Sequence, residues 1–415
     1  MTGKTRWYDM LQVAAMLLVT ATIPINFHAG LWATMLLALV TLVKLIASRQ
    51  WGNPALSRPI RLLFYSLLAY WLCFVVSFLF DSTSDTGREY LILKSILIVY
   101  PCCFLLSDTR FLQPKHLRWM GWVLCAACVG MFLWNVGAAA IQMAKGSLRL
   151  DMVVSGDFDS RHHAYVSLYV DVALFFIYTR LRYWSKLPKW QRWLLVVSLT
   201  LLVLYVLLVN SRAGLLVLWV LLALCTVYEL VRKNRRVLLW SVIFAGYIVG
   251  LGAVLPGHQD RITQTVTNVM EDKGDARLDI NQSSLQLAEE DLLLGSGVGN
   301  YREDLVDQYA KDGFESGVKA RYNAHNQYIE SILAVGIFNL IILVAVIAGP
   351  MIVAFIRKSR TRYAQVAIAL VFAINFLFES MLERQMGLQF VSWILALMAL
   401  TLSVEENKFG HIRKS

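Results

Sequence analysis

Residues 323–339 read NAHNQYIESILAVGIFN. They end a long polar segment and open a very apolar one, and His325 stands at the border. A helix starting near Asn323 takes that side chain as its N-cap, and the free N–H groups of its first turn then surround the imidazole. At about 100° per residue, Tyr328, Ile329, Ile332 and Gly336 share the His325 face, and Gly336 leaves room for close backbone approach. Two readings follow: a histidine poised for chemistry at a membrane surface, or a solvated histidine at the start of an ordinary membrane helix.

The apolar side of that border is one of many similar blocks. The chain has 415 residues, of which 58% are hydrophobic and 16% charged. The apolar residues come in long runs rather than helical stripes, which is the pattern of an all-α polytopic membrane protein. Runs long enough to cross a bilayer fall near 9–25, 30–47, 62–80, 90–106, 119–140, 164–180, 193–210, 214–231, 237–255, 326–355, 363–378 and 388–404, about twelve transmembrane helices. The run 194–228 is too long for one crossing, so Asn210-Ser211-Arg212-Ala213-Gly214 reads as a tight turn between two helices and puts Arg212 at a membrane surface. The first run follows Lys4 and Arg6 as a signal peptide would. No small-residue cleavage site comes after Ile23-Pro24, so it reads as an uncleaved first span. The six cysteines all lie in or beside apolar segments, which implies no disulfide framework and favours packing over metal ligation for Cys125 and Cys128.

Charge sets the expected orientation. With the N-terminus inside, the inner segments are rich in lysine and arginine, while the outer ones hold most of the acids. Both termini are then cytoplasmic. The 39 basic and 28 acidic residues give a net charge of +11, which basic loops facing anionic lipid explain without nucleic acid. Trp7, Trp51, Trp119, Trp184, Trp190 and Trp193 at the inner borders fit an interfacial belt. Two outer loops are long, 142–163 and, above all, 256–324. The second contains an amphipathic helix over 276–291, a glycine-rich turn, and a polar stretch rich in tyrosine and acid. This divides the chain into 1–255 with the first nine spans, 256–325 as an outer loop carrying the chemistry, and 326–415 with the last three spans and a short tail.

Basic residues on the outer side are exceptions to the charge bias. Arg212 stands alone between two apolar spans, where a guanidinium either meets an anion or snorkels to outer headgroups. Arg277 opens the loop helix and either serves a ligand or pairs with Asp275 or Asp279. Arg161-His162-His163 begins the sixth span with Asp171 two turns further in; this cluster offers metal ligands, substrate contacts or a solvated helix start. Gly295-Ser296-Gly297-Val298-Gly299 lacks the preceding strand and the following Lys-Ser/Thr of a nucleotide-binding loop, so a tight turn fits better. Asp157-Phe158-Asp159 has the spacing of a sugar-nucleotide metal motif but lies in a short loop. No metal, nucleotide or other cofactor is implied.

His325-Asn326, nine residues, then Gly336, preceded in one long outer loop by Arg277 and the Gly295-x-Gly297-x-Gly299 turn, resembles the bacterial O-antigen ligase and polymerase family. The Ser211-Arg212 turn, the span count and the orientation fit as well. The resemblance implies a GT-C-like all-α fold in the inner membrane of a Gram-negative bacterium. The implied enzyme is a metal-independent glycosyltransferase that takes a glycan from undecaprenyl diphosphate on the periplasmic side. One long loop between the ninth and tenth spans resembles the ligase branch, which joins the glycan to lipid A-core in lipopolysaccharide biosynthesis. Lys145, Arg149 and Arg161 in the shorter loop keep a polymerase as the alternative.

Family position and residue type give Arg212 and Arg277 to the diphosphate, and His325 to the acceptor hydroxyl as general base or orienting hydrogen-bond acceptor. Asn326, Arg161, His162, His163, Tyr301 and Gly336 complete the expected substrate-binding set. A competing class is a transporter or lipid flippase, with Arg212, Asp171 and Lys94 lining a path. Against it, no matching broken helices occur in the two halves, and the one distinctive loop faces outward.

Overall fold

The computed structural model describes residues 3–80, 85–146, 163–233, 235–254 and 276–409. Among the described residues every expected apolar run is helical over most of its length. In chain order the helices are α1 (Gly3–Ile25), α2 (Phe27–Ser48), α3 (Arg58–Phe80), α4 (Asp85–Lys94), α5 (Ile96–Leu106), α6 (Pro114–Ala144), α7 (His163–Leu181), α8 (Lys189–Val209), α9 (Arg212–Val231) and α10 (Arg235–Val254). They continue as α11 (Ala276–Glu290), α12 (Tyr301–Lys311), α13 (Glu315–Ala320), α14 (Gln327–Val335), α15 (Ile337–Ile356), α16 (Arg362–Phe378) and α17 (Gln385–Phe409). Among the described residues ten helical stretches are long and apolar enough to cross a membrane, and Ser241–Leu251 and Arg362–Phe378 are shorter apolar helices. The protein is therefore an all-α polytopic membrane protein.

The chain forms two compact units, one of residues 1–120 and 274–415, the other of residues 121–273. In the first, α17 is the most buried of the spans. Its Trp393 indole is buried and donates to the Thr20 hydroxyl at 3.0 Å. A buried cation inside this unit is matched, as a medium without water favours: the Lys44 ammonium meets Asp9 at 2.8 Å and the Gln12 carbonyl at 3.0 Å. In the second unit α7 is the most buried span, packed on α8 and α9. Gly214 on α9 makes that contact close, because a Cβ there would fall on Ser167 of α7.

Two local expectations change. The run 326–355 is not one helix: it breaks at Gly336 into α14 and α15. The stretch after the glycine-rich turn, read only as polar, folds into α12 and α13. The amphipathic segment near 276–291 is α11, ending at Glu290.

Candidate functional site

The first turn of α14 is built differently from the sequence expectation. Asn326, not Asn323, caps it, its side-chain oxygen accepting the N–H groups of Tyr328 and Ile329 at 3.0 and 3.3 Å. Asn323 instead accepts the His325 N–H at 3.2 Å. His325 thus precedes the helix, so the proposed shared face with Tyr328, Ile329, Ile332 and Gly336 does not extend to it. Its φ of +46° lies in the left-handed region, which costs a non-glycine residue roughly 1–2 kcal/mol and persists only where neighbours fix the backbone.

The imidazole has a partner that sequence reading missed. His325 Nδ1 lies 3.3 Å from Glu379 Oε2, with the histidine side chain 23% exposed and the glutamate 7%. Tyr322 stacks obliquely beside the ring, centroids 5.9 Å apart. Glu379 ends α16 and begins the short polar connection Glu379-Ser380-Met381-Leu382-Glu383-Arg384 to α17. Two acids in so short a link between apolar spans, on the side expected for His325, were the available signal.

That connection is held at several points. Gln327 accepts the Leu382 N–H at 2.6 Å, and Lys94 donates to the Leu382 carbonyl at 2.6 Å. Lys94 also meets Glu383 Oε1 at 2.8 Å, with both side chains essentially fully buried. Tyr90 donates to the same oxygen. Tyr301 donates to Glu383 Oε2 at 2.7 Å, and Arg302 reaches that oxygen at 3.2 Å and the Tyr301 hydroxyl at 3.0 Å. Burial alone would raise the Glu383 carboxyl, but the charges of Lys94 and Arg302 and the bonds from Lys94 and Tyr90 hold it well below the usual carboxylate range. Burial, and then the Glu383 charge, drive Tyr301 well above the ordinary phenol range. Tyr301 is 1% exposed, so it supports the connection from inside. Lys94, which the transporter reading placed along a path, is likewise committed to this buried network.

Gly336 and the glycine-rich turn form a second junction. Gly336 has φ +95° and ψ −178°, a conformation essentially confined to glycine. A Cβ on it would coincide with the Leu293 carbonyl, and one on Gly295 (φ +68°) would meet the Ile332 and Leu333 carbonyls. The gap in the helix is closed by the turn: Ser296 N–H donates to Leu333 O and Ile337 N–H to Leu292 O, each at 2.8 Å. Gly336 therefore does provide close backbone approach, but to the turn rather than to a membrane neighbour. Gly336→Ala is expected to destabilise the protein by at least about 1–3 kcal/mol from backbone strain alone. The measurement is thermal unfolding in detergent, and an unchanged midpoint would contradict the junction.

The junction joins the C-terminal ends of α11 and α14, which pack on each other. Arg277 lies in the first turn of α11, at the end away from the junction, just as His325 lies immediately before the first turn of α14. Arg212 belongs to the other unit. There Asn210 takes φ +50° to end α8, and Ser211 caps α9 by accepting Gly214 N–H at 3.4 Å, so the expected tight turn forms. Asp171, also in that unit, is fully buried, and neither carboxyl oxygen meets a hydrogen-bond partner among the described residues. His163 opens α7. Arg161, His162, Arg149, Asp157 and Asp159 lie outside the described residues.

These features define a multi-pass α-helical membrane protein in which two polar connections between helices bring together a histidine–carboxylate pair and a buried ion-pair network. Residues 197–344 match the family model described as O-antigen ligase, a stretch that includes Arg212, Arg277, Tyr301, His325 and Gly336. Over that stretch, about a third of the chain, the protein is similar to the O-antigen ligase/polymerase family, whose members are glycosyltransferase-like ligases and polymerases. No curated protein matches the chain.

Proposed function

We propose that this protein is an O-antigen ligase, transferring a glycan from undecaprenyl diphosphate to a sugar hydroxyl of lipid A-core. The observation that carries the reading is the His325–Glu379 pair, in a chain similar to the O-antigen ligase/polymerase family. With Glu379 accepting from Nδ1–H, the neutral imidazole keeps Nε2 as the hydrogen-bond acceptor, the form a general base requires. In the reaction, Nε2 takes the proton of the acceptor hydroxyl and that oxygen attacks the anomeric carbon. The bond from that carbon to the diphosphate oxygen breaks, and the lipid diphosphate leaves with the electron pair. A single displacement inverts the anomeric configuration.

Diphosphate is already a good leaving group, so the protein chiefly aligns two large substrates and neutralises charge growing on the departing oxygens. Arg277, by residue type and family position, holds diphosphate oxygens bidentately. Arg212 carries the same assignment on the same grounds. Asn326 supports the site by fixing the helix start beside His325. His163, with Arg161 and His162, remains a proposed contact for the donor or the acceptor core. The charge bias supports cytoplasmic termini with residues 256–325 as a periplasmic loop between membrane portions 1–255 and 326–415, and the family resemblance supports a Gram-negative inner membrane.

The test supplies purified protein with undecaprenyl-diphosphate glycan and lipid A-core, without nucleotide and with chelator. Glycan joined to core is the expected product. Lengthening of the donor glycan without core attachment would identify a polymerase, and lipid translocation without either product would identify a transporter. Within this reading Glu379→Gln is expected to lower kcat on the order of 10²-fold, less than the ~10⁴ seen for a fully buried triad carboxylate, because the pair is partly open to water. Equal kcat in the variant would remove Glu379 from its orienting role.

A further inference from the structure

Glu330 lies in α14 with no exposed surface. One of its oxygens, Oε2, accepts the Ala324 N–H at 3.0 Å and the Ser380 hydroxyl at 3.0 Å. Ala324 immediately precedes His325, and Ser380 immediately follows Glu379. A single buried atom therefore ties together the two backbone segments that present the histidine and its carboxylate. We infer that Glu330 is the positioning residue for the His325–Glu379 pair, setting their register without touching substrate.

The geometry around it supports that role. His325 sits in left-handed backbone, and the bonds on either side of it are side-chain bonds: Glu330 to Ala324, Asn323 to His325 itself, and Asn326 to the helix start. Gln327, one turn from Glu330 on the same helix, fixes Leu382 of the connection. The first turn of α14 thus grips residues 380–382 twice, while Lys94 and Tyr301 grip the far end through Glu383. The other Glu330 oxygen has no hydrogen-bond partner among the described residues. Burying it unmatched is unfavourable, so the clamp, rather than general packing, accounts for a carboxyl at this position. Burial and the nearby negative charge of Glu383 raise the Glu330 carboxyl above the usual range. An oxygen that accepts in either protonation state meets the requirement, and a glutamine carbonyl supplies one.

This inference rests on the proposed role of His325 as the base, and its test separates the two. Glu330→Gln, Glu330→Ala, Ser380→Ala, Glu379→Gln and the Glu330→Ala/Glu379→Gln double variant are compared in the two-substrate assay. In parallel, ¹⁵N spectra of the histidine rings are recorded on the intact protein in detergent. Glu330→Gln is expected to stay within about threefold of wild type. Glu330→Ala is expected to lose roughly 10- to 100-fold in kcat with both KM values little changed, as for loss of an interaction realised in the transition state. The double variant is expected to be no worse than about the weaker single one, since both remove the same alignment. Ser380→Ala, which deletes one arm and leaves no charge exposed, is expected to lie between, and it serves should Glu330→Ala fail to fold.

The His325 ring resonances are expected to move in Glu330→Ala and to hold in Glu330→Gln. Wild-type kcat in both Glu330→Ala and Ser380→Ala, fully additive losses in the double variant, or unmoved ring resonances would overturn the inference. Full activity of His325→Ala would instead overturn the reading beneath it, while leaving the spectroscopic comparison to judge the clamp.

Discussion

His325→Ala is expected to slow glycan transfer by roughly 10² to 10⁴, the usual contribution of a positioned general base. In the proposed mechanism the loss falls on kcat, because the imidazole is assigned to a proton that moves only in the transition state, while donor affinity is assigned to Arg212 and Arg277. His325→Gln is the sharper control: its amide offers a neutral acceptor of similar reach but takes up no proton. If orientation of the acceptor hydroxyl were the whole role, glutamine would restore most of the rate. If proton removal matters, glutamine should remain close to alanine. Retention of activity within a factor of a few in both variants would remove His325 from the chemistry, and the His325–Glu379 pair would then be read as part of the scaffold.

Lys94→Met is expected to cost about 3–5 kcal/mol of stability, the penalty for breaking a buried ion pair from one side. Methionine matches the shape of the lysine stem but leaves Glu383 with Tyr90, Tyr301 and the partly exposed Arg302 as its remaining partners. It also deprives the Leu382 carbonyl of its donor. Lys94→Met combined with Glu383→Gln should recover part of that loss, since the uncompensated charge is gone. Unfolding followed in detergent for the two single variants and the pair gives the coupling directly. Additive losses would mean that Lys94 and Glu383 stabilise the protein independently, contrary to their 2.8 Å contact.

The sign of the pH effect follows from the same cluster. Glu383 is depressed in the folded protein, so its contribution is present above the ordinary carboxylate range and fades as the pH falls through its folded value. Glu330 is raised, so its contribution runs the other way, and acid alone should not release the clamp on Ala324.

The membrane fold was legible because spanning helices need only local composition: a long apolar run must satisfy its backbone internally whatever surrounds it. For the same reason the α8–α9 turn at Asn210-Ser211 was readable, as one bilayer cannot hold the whole run in a single crossing. The loop helix α11, the glycine turn after it and the border position of His325 were readable too, each from residues adjacent in sequence. The partners of those residues were not.

Gly336 signalled a close approach, yet nothing local said that the Leu293 carbonyl would fill it and split the span in two. Asn323 and Asn326 are equally good caps by residue type, and only the Glu330 hold on Ala324, with His325 turned into left-handed backbone, decides for Asn326. Glu379 and Glu383 lie more than fifty residues beyond the histidine in a link with no motif of its own. Sequence alone was enough for the membrane helices and for nominating His325 and the outer arginines as candidates, because propensity, hydropathy and residue type act over one or two turns; it did not reach α12, α13 or the break at Gly336. Tertiary structure alone decided which carboxylate meets His325 and what holds the pair in register, because a buried polar atom is matched by whichever group packing brings within 3 Å of it, irrespective of distance along the chain.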